Sequence, residues 1–149
     1  MSRQNQHIVA ITDDDVDDRE IFLDACSAAK TDIQVLLFES GDELLRHLKA
    51  PETQNPAILF LDINMPKVNG FECLSRIRAI RVLQELCVIM YSTSVSQADV
   101  SKAKKLGADG FLQKPSNYSV LLKSIEKILE TDWSNPCSEI QQSNFLITS

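Results

Sequence analysis

Five short apolar runs, separated by longer stretches in which apolar residues recur every three to four positions, constrain this chain more than any other feature. The runs are His7 to Thr12, Ile33 to Phe38, Ala57 to Leu61, Cys87 to Tyr91 and Gly110 to Gln113. Short runs that are apolar almost throughout suit strands covered on both faces, and Ala57 to Leu61 reads as a central one. The periodic stretches suit helices, so the alternation predicts an α/β fold with a parallel sheet between two helical layers.

The first helix is expected from Asp17 to about Lys30, with Ile21, Ala25, Ala28 and Ala29 on one face and Phe22 and Cys26 beside it. Ser40 and Glu43 form a capping-box pattern, which starts a second helix that stops at Ala50 before Pro51 and buries Leu44, Leu45 and Leu48. After a polar linker, Glu52 to Pro56, and the third run, Asn64 to Gly70 reads as a loop. A helix to about Arg81 then buries Phe71, Leu74 and Ile77. Ser96 to Leu106 is the fourth helix, ended by Gly107. Ser116 to Glu130 is the fifth, with Leu121, Leu122, Ile125, Ile128 and Leu129 inward. From Thr131 the chain turns polar, passes Pro136 and meets the apolar patch Phe145, Leu146 and Ile147. That tail is too short for a domain. Either it is a loosely packed end, or Trp133 and Phe145 to Ile147 dock on the domain or on a second copy of it.

A chain of 149 residues suits one domain with a real core. Its net charge of −6 disfavours an electrostatic grip on nucleic acid or anionic lipid, so neither is expected as a partner. No apolar run approaches the roughly 18 to 20 residues of a membrane span, and Met1 to His7 is polar with no signal region, which predicts a cytoplasmic protein. Cys26, Cys73, Cys87 and Cys137 are far apart, without a C-x-x-C pair or histidines at metal-site spacing. At least the first three are expected to be reduced packing residues.

Polar residues follow four of the runs: Asp13 and Asp14, Asp62, Ser92 and Lys114. In a parallel sheet the carboxyl ends of the strands open onto one edge, so these residues can meet there. Taken singly each is ordinary: a surface lysine, a strand-end hydroxyl, a turn aspartate. Gathered together, three carboxylates repel one another unless a cation joins them, which points to function. Asp17 and Asp18 suit the positive end of a helix and are assigned that role. Asp13, Asp14 and Asp62 offer hard oxygens suited to Mg²⁺, and a backbone carbonyl after Asp62 could add a ligand. Asp62 is the nucleophile candidate: a carboxylate beside a metal can attack phosphorus and form an acyl phosphate. Lys114 suits the phosphoryl oxygens, with a cis bond to Pro115 one way to aim it, and Ser92 offers a hydrogen-bonding hydroxyl.

Ile-Thr-Asp-Asp-Asp at 11–15 with Arg19, Leu-Asp-Ile-Asn-Met-Pro at 61–66 with Gly70, Met-Tyr-Ser-Thr at 90–93 and Gly-Ala-Asp-Gly-Phe-Leu-Gln-Lys-Pro at 107–115 carry a resemblance. In order and spacing the chain resembles the receiver domain of two-component response regulators from about His7 to Glu130. The resemblance implies a flavodoxin-like, doubly wound, five-stranded parallel sheet of order 2-1-3-4-5 with five helices. It makes 1–130 the receiver and 131–149 a tail with no separate output domain, as in stand-alone regulators. It makes Asp62 the phosphorylated aspartate and gives Mg²⁺ the ligands Asp13, Asp14, Asp62 and the main-chain carbonyl of Asn64. Lys114 would contact phosphate, Ser92 would be the switch hydroxyl and Phe111 its aromatic partner.

Two departures are mild: Ser92 lacks the methyl of the threonine found in many relatives, and Phe111 lacks a phenol. A plain core role for Phe111 stays open. The implied partners are a sensor histidine kinase or histidine phosphotransfer protein and a downstream protein target. Phosphorylation would draw Ser92 toward the phosphate, turn Phe111 inward and alter the face of the fourth helix, fifth strand and fifth helix. No separate substrate is turned over. A relay intermediate or phosphate sink, and a tail-mediated homodimer, stay open as alternatives. An aspartyl-phosphate phosphohydrolase of the haloacid dehalogenase type is disfavoured, because Asn64 stands where that family needs a second acid.

Overall fold

The computed structural model describes residues 7–30, 32–50, 54–137 and 145–147. The polar segment before His7, part of the 52–56 linker and the 138–144 stretch of the tail lie outside the described residues. The strands are β1 (His7–Thr12), β2 (Ile33–Phe38), β3 (Ile58–Asp62), β4 (Cys87–Ser92), β5 (Gly110–Gln113) and β6 (Leu146–Ile147). Between them lie the helices α1 (Val16–Ala29), α2 (Gly41–Lys49), α3 (Gly70–Ala79), α4 (Gln97–Leu106) and α5 (Tyr118–Leu129). All pairings are parallel, in the order β2-β1-β3-β4-β5-β6.

The period of two along each strand sorts the core into two layers. Ala10, Leu59, Leu61, Val88, Met90 and Phe111 face α2, α3 and α4, where Leu44, Leu48, Phe71, Leu74 and Ile77 meet them. Val9, Ile11, Ile58, Phe60, Ile89 and Leu112 face Phe22, Ala25 and Cys26 of α1 and Leu121, Ile125 and Ile128 of α5. β3 is buried at every residue, as its composition demanded. Because β2 lies outside β1 and the chain then returns to β3, the winding direction reverses between β1 and β3. That reversal opens a crevice at the carboxyl ends of those strands. The register Thr12↔Leu61 brings Asp13 and Asp62 to its two sides.

Local chemistry fixes the helix ends. Ser40 Oγ accepts from Glu43 N–H at 3.1 Å, while Glu43 reaches back to Glu39 N–H at 2.8 Å. Gly107 closes α4 with φ of 101°, a left-handed turn that glycine adopts without steric cost.

Four expectations need correction. The buried stripe of α1 is Phe22, Ala25 and Cys26, whereas Ile21 is 44% exposed and Ala28 is also exposed. The larger ring decides the rotation: Phe22 packs edge-on against Phe60 and Tyr91, with centroids 4.8 and 5.7 Å away. Asp62 and Ser92 are the last residues of their strands rather than the first beyond them.

The sheet also gains a sixth strand from the tail, with Phe111↔Leu146 and Leu112↔Ile147 paired. The tail docks on its own domain: Trp133 stacks on His7 with centroids 4.2 Å apart. Finally, Cys87 is disulfide-bonded to Cys137, because the returning tail brings the two Cα atoms within 5.6 Å, a separation that sequence spacing conceals. Cys26 and Cys73 are free and buried as expected, and burial pushes each thiol up to about 12. Among the described residues no helix is long and apolar enough to cross a membrane.

Candidate functional site

Each side of the crevice is built by the way its strand ends. Past β1, Asp13 N–H donates to Phe38 O at 3.0 Å, extending the ladder by one residue, and Arg19 Nη1 donates to Asp13 O at 2.7 Å. Asp13 Oδ1 accepts from Asp15 N–H at 3.0 Å, while Asp15 caps α1 by accepting from Asp17 and Asp18 N–H. The result is a fully buried Asp13 beside an exposed Asp14.

On the other side, β3 turns immediately after Asp62. Gly70 N–H donates to Ile63 O at 2.9 Å and starts α3 directly against the strand end. A Cβ on Gly70 would lie 2.3 Å from Asp62 O and 2.8 Å from Ile63 Cα, so only glycine fits there. Asn64 is exposed in the turn that this contact closes.

Lys114 joins the two sides. Its N–H donates to Ser92 O at 2.8 Å, which carries the β4–β5 ladder one step past Gln113. Its Nζ lies 2.7 Å from Asp13 Oδ2, 2.9 Å from Asp18 Oδ2 and 3.3 Å from Asp62 Oδ1, and 5.1 Å from the centre of the Tyr91 ring. The bond to Pro115 is trans, so the ladder rather than a cis proline aims this lysine. Ser92 is buried and its Oγ accepts from Ser94 N–H at 3.2 Å, leaving the hydroxyl proton free for another acceptor. Phe111 is already fully buried, with Phe145 and Leu146 of the tail packed against its cluster, so the inward turn expected of it is not available from this state.

The electrostatics follow from one ammonium serving several carboxylates. Burial pushes the Asp62 carboxyl up to about 6, the charge of Asp13 adds to this, and Lys114 only partly opposes it. Burial also raises Asp13, against its hydrogen bonds from Lys114 and Asp15. Burial alone would lower Lys114, but hydrogen bonds to Asp13 and Asp18 and the charge of Asp62 outweigh it and raise the ammonium above its usual range.

The site is therefore short of positive charge. Asp13, Asp14 and Asp62 offer oxygens that all lie within 4.8 Å of one another, a hard donor set that fits a small divalent cation.

Asp13, Asp14, Asp62 and Lys114 thus meet as the sequence suggested, with Ser92 tied to Lys114 through the main chain. Asp18 does more than expected: it stands in the first turn of α1, as its helix-dipole assignment requires, and it also holds Lys114. Its signal was its place in the first turn of the helix that follows Asp13 and Asp14. The Tyr91 ring beside Lys114 had no signal beyond its position before Ser92.

Fold and site define a doubly wound α/β domain whose switch-point crevice gathers acidic groups around one lysine. The chain belongs to the response regulator receiver domain family, whose model matches residues 9–126. It is 33% identical over 98 residues to the chemotaxis protein CheY1 of Helicobacter pylori strain J99, covering 66% of this chain and 77% of that protein. The crystal structure of the phosphorylated cyanobacterial phytochrome response regulator RcpA shares the fold with a TM-score of 0.77 at 23% identity, over 84% of this chain and 92% of that one. The Mn²⁺-bound form of response regulator Rcp1 gives a TM-score of 0.73 at 22% identity, over 82% and 91% respectively.

Proposed function

We propose that this chain is a cytoplasmic response regulator that accepts a phosphoryl group on Asp62 from the phosphohistidine of a sensor histidine kinase or histidine phosphotransfer protein. The observation that carries this reading is Lys114 Nζ held between Asp13 and Asp62, at 2.7 and 3.3 Å, at the ends of three parallel strands. A carboxylate oxygen of Asp62 attacks phosphorus, the P–N bond breaks, and the departing imidazole nitrogen keeps the electron pair. The product is an acyl phosphate that water later hydrolyses, and no separate substrate is turned over.

Above pH about 6 the nucleophile is ionised without help. The Lys114 ammonium, already beside Asp62 Oδ1, is placed to meet a phosphoryl oxygen with no large movement. The free proton of Ser92 suits a second phosphoryl oxygen. Asp13, Asp14, Asp62 and the carbonyl of Asn64 would hold Mg²⁺. When bound, that ion supplies the positive charge that lets an anionic donor approach an anionic crevice. Transfer alters the pull on Ser92 and, through the β4–β5 ladder, the face formed by α4, β5 and α5, which a downstream protein reads.

Intact mass spectrometry after incubation with acetyl phosphate and Mg²⁺ tests the proposal. One phosphoryl group is expected on the parent protein and none on Asp62→Asn or in chelator. Equal labelling of parent and variant would overturn it.

A further inference from the structure

We propose that Cys87 and Cys137 form a reversible thiol–disulfide latch that sets how firmly the tail covers the edge of β5. Cys87 begins β4, at the opposite end of that strand from Ser92, so the bond plays no part in the phosphoryl site. The tail meets the amino edge of the sheet twice: Trp133 lies flat on His7, the first residue of β1, and Cys137 is bonded to Cys87.

Past the latch, Phe145 O accepts from Phe111 N–H at 2.9 Å, and Leu146 and Ile147 add the short strand β6. Ile147 packs with the cluster that holds Leu112 and Cys137, and Phe145 and Leu146 with the cluster that holds Phe111. A strand of two residues is too short to hold itself in place, so its occupancy depends on how closely the chain is tethered. With the bond closed, the anchor before β6 is Cys137, 8 positions ahead of Phe145; with the bond open and the neighbouring Trp133–His7 stack released with it, the last anchor is the end of α5 at Leu129, 16 positions ahead. Halving a loop favours closure by about threefold.

Three observations favour a redox pair over other readings. Asp109 stands near both sulfurs, but its Oδ2 is engaged by Arg78 Nη2 at 2.9 Å and Val88 N–H at 3.0 Å, which disfavours a metal site. The remaining cysteines, Cys26 and Cys73, are buried thiols held up to about 12 and poorly suited to exchange. Asp132, Ser134 and Asn135 are exposed, so a short local opening brings the sulfurs to solvent. In a reducing compartment such a bond is a transient state rather than a permanent staple.

The co-reactant is a dithiol of the thioredoxin class. One of its thiolates attacks a sulfur of the bond, the S–S bond breaks and a mixed disulfide forms. Its second thiol then resolves that intermediate. Two electrons and two protons pass to Cys87 and Cys137, and the dithiol leaves as its own disulfide; the bond re-forms by the reverse exchange, in which a disulfide of the same class takes up the two electrons and two protons and leaves as a dithiol.

The latch is independent of phosphorylation, and only the reducing compartment invoked for it rests on the proposed function. The test uses the full chain without phosphodonor, poised across ratios of oxidised to reduced dithiothreitol, then alkylated after denaturation and weighed. Two alkylated cysteines are expected at the oxidising end and four at the reducing end. In the same samples the Phe111 amide should exchange hydrogen about threefold faster when reduced, as it should in Cys137→Ser and Cys87→Ser under oxidising conditions. Cys26→Ser should follow the parent. Four alkylated cysteines at every ratio, or Phe111 exchange that ignores both reduction and Cys137→Ser, would overturn the latch while leaving Asp62 labelling untouched.

Discussion

Replacing the Asp62 carboxylate by the amide of matching shape, Asp62→Asn, removes a charge that the fold holds at a cost. The side chain is 6% exposed and its carboxyl is pushed from 3.8 up to about 6, chiefly by burial. A folded-state value above the unfolded one means that the native protein binds the proton more tightly. Any stability tied to Asp62 is thus fully present below 3.8 and lost as pH rises through about 6. At about 1.36 kcal/mol per unit, the ionised Asp62 destabilises the metal-free fold by about 3 kcal/mol at pH 7.5, and by only about 1 kcal/mol at pH 4.5. Asp62→Asn should therefore stabilise the protein, with a gain about 2 kcal/mol larger at the higher pH. Urea unfolding of both proteins in chelator at the two pH values measures this directly. A variant less stable than its parent at pH 7.5, or a gain equal at both, would refute the claim that burial and Asp13 outweigh Lys114 at this carboxylate.

Lys114→Met leaves Asp13 and Asp62 buried without their shared cation and should cost about 3–5 kcal/mol at neutral pH, less in acid, together with loss of acetyl-phosphate labelling. Gly70→Ala forces a methyl against Asp62 O, at 2.3 Å without relaxation, and should destabilise by more than about 2 kcal/mol in urea and slow labelling. Mg²⁺ at about a hundred times its dissociation constant should stabilise the parent by about 2.7 kcal/mol in thermal unfolding. An Asp13→Asn, Asp14→Asn double variant should show little of that gain.

The central strands were legible because burial on both faces leaves an unbroken apolar run, and their ends because a polar residue abruptly follows. Asp13, Asp62 and Lys114 came together for the same reason: in a parallel sheet, position relative to a strand end is position in space. The face of α1 was harder, since alanines carry little weight and Phe22 alone settles the rotation. Asp18 looked like dipole chemistry until Lys114, nearly a hundred positions away, was seen to reach it. The tail offered no periodicity, because β6 is too short to have one and its docking depends on surfaces formed by distant segments. The same holds for the bond between Cys87 and Cys137: no local pattern encodes a pairing made across a returning loop.

The hydrogen bond from Lys114 N–H to Ser92 O has one further consequence. Ammonium and hydroxyl are mounted on neighbouring rungs joined by peptide groups, so their spacing is inherited from β-sheet geometry rather than from packing. Helices that do not touch the pair can be lengthened or exchanged for a new client without detuning the chemistry, whereas a one-residue slip of β5 would turn Lys114 to the other face of the sheet, away from Asp18 and Tyr91.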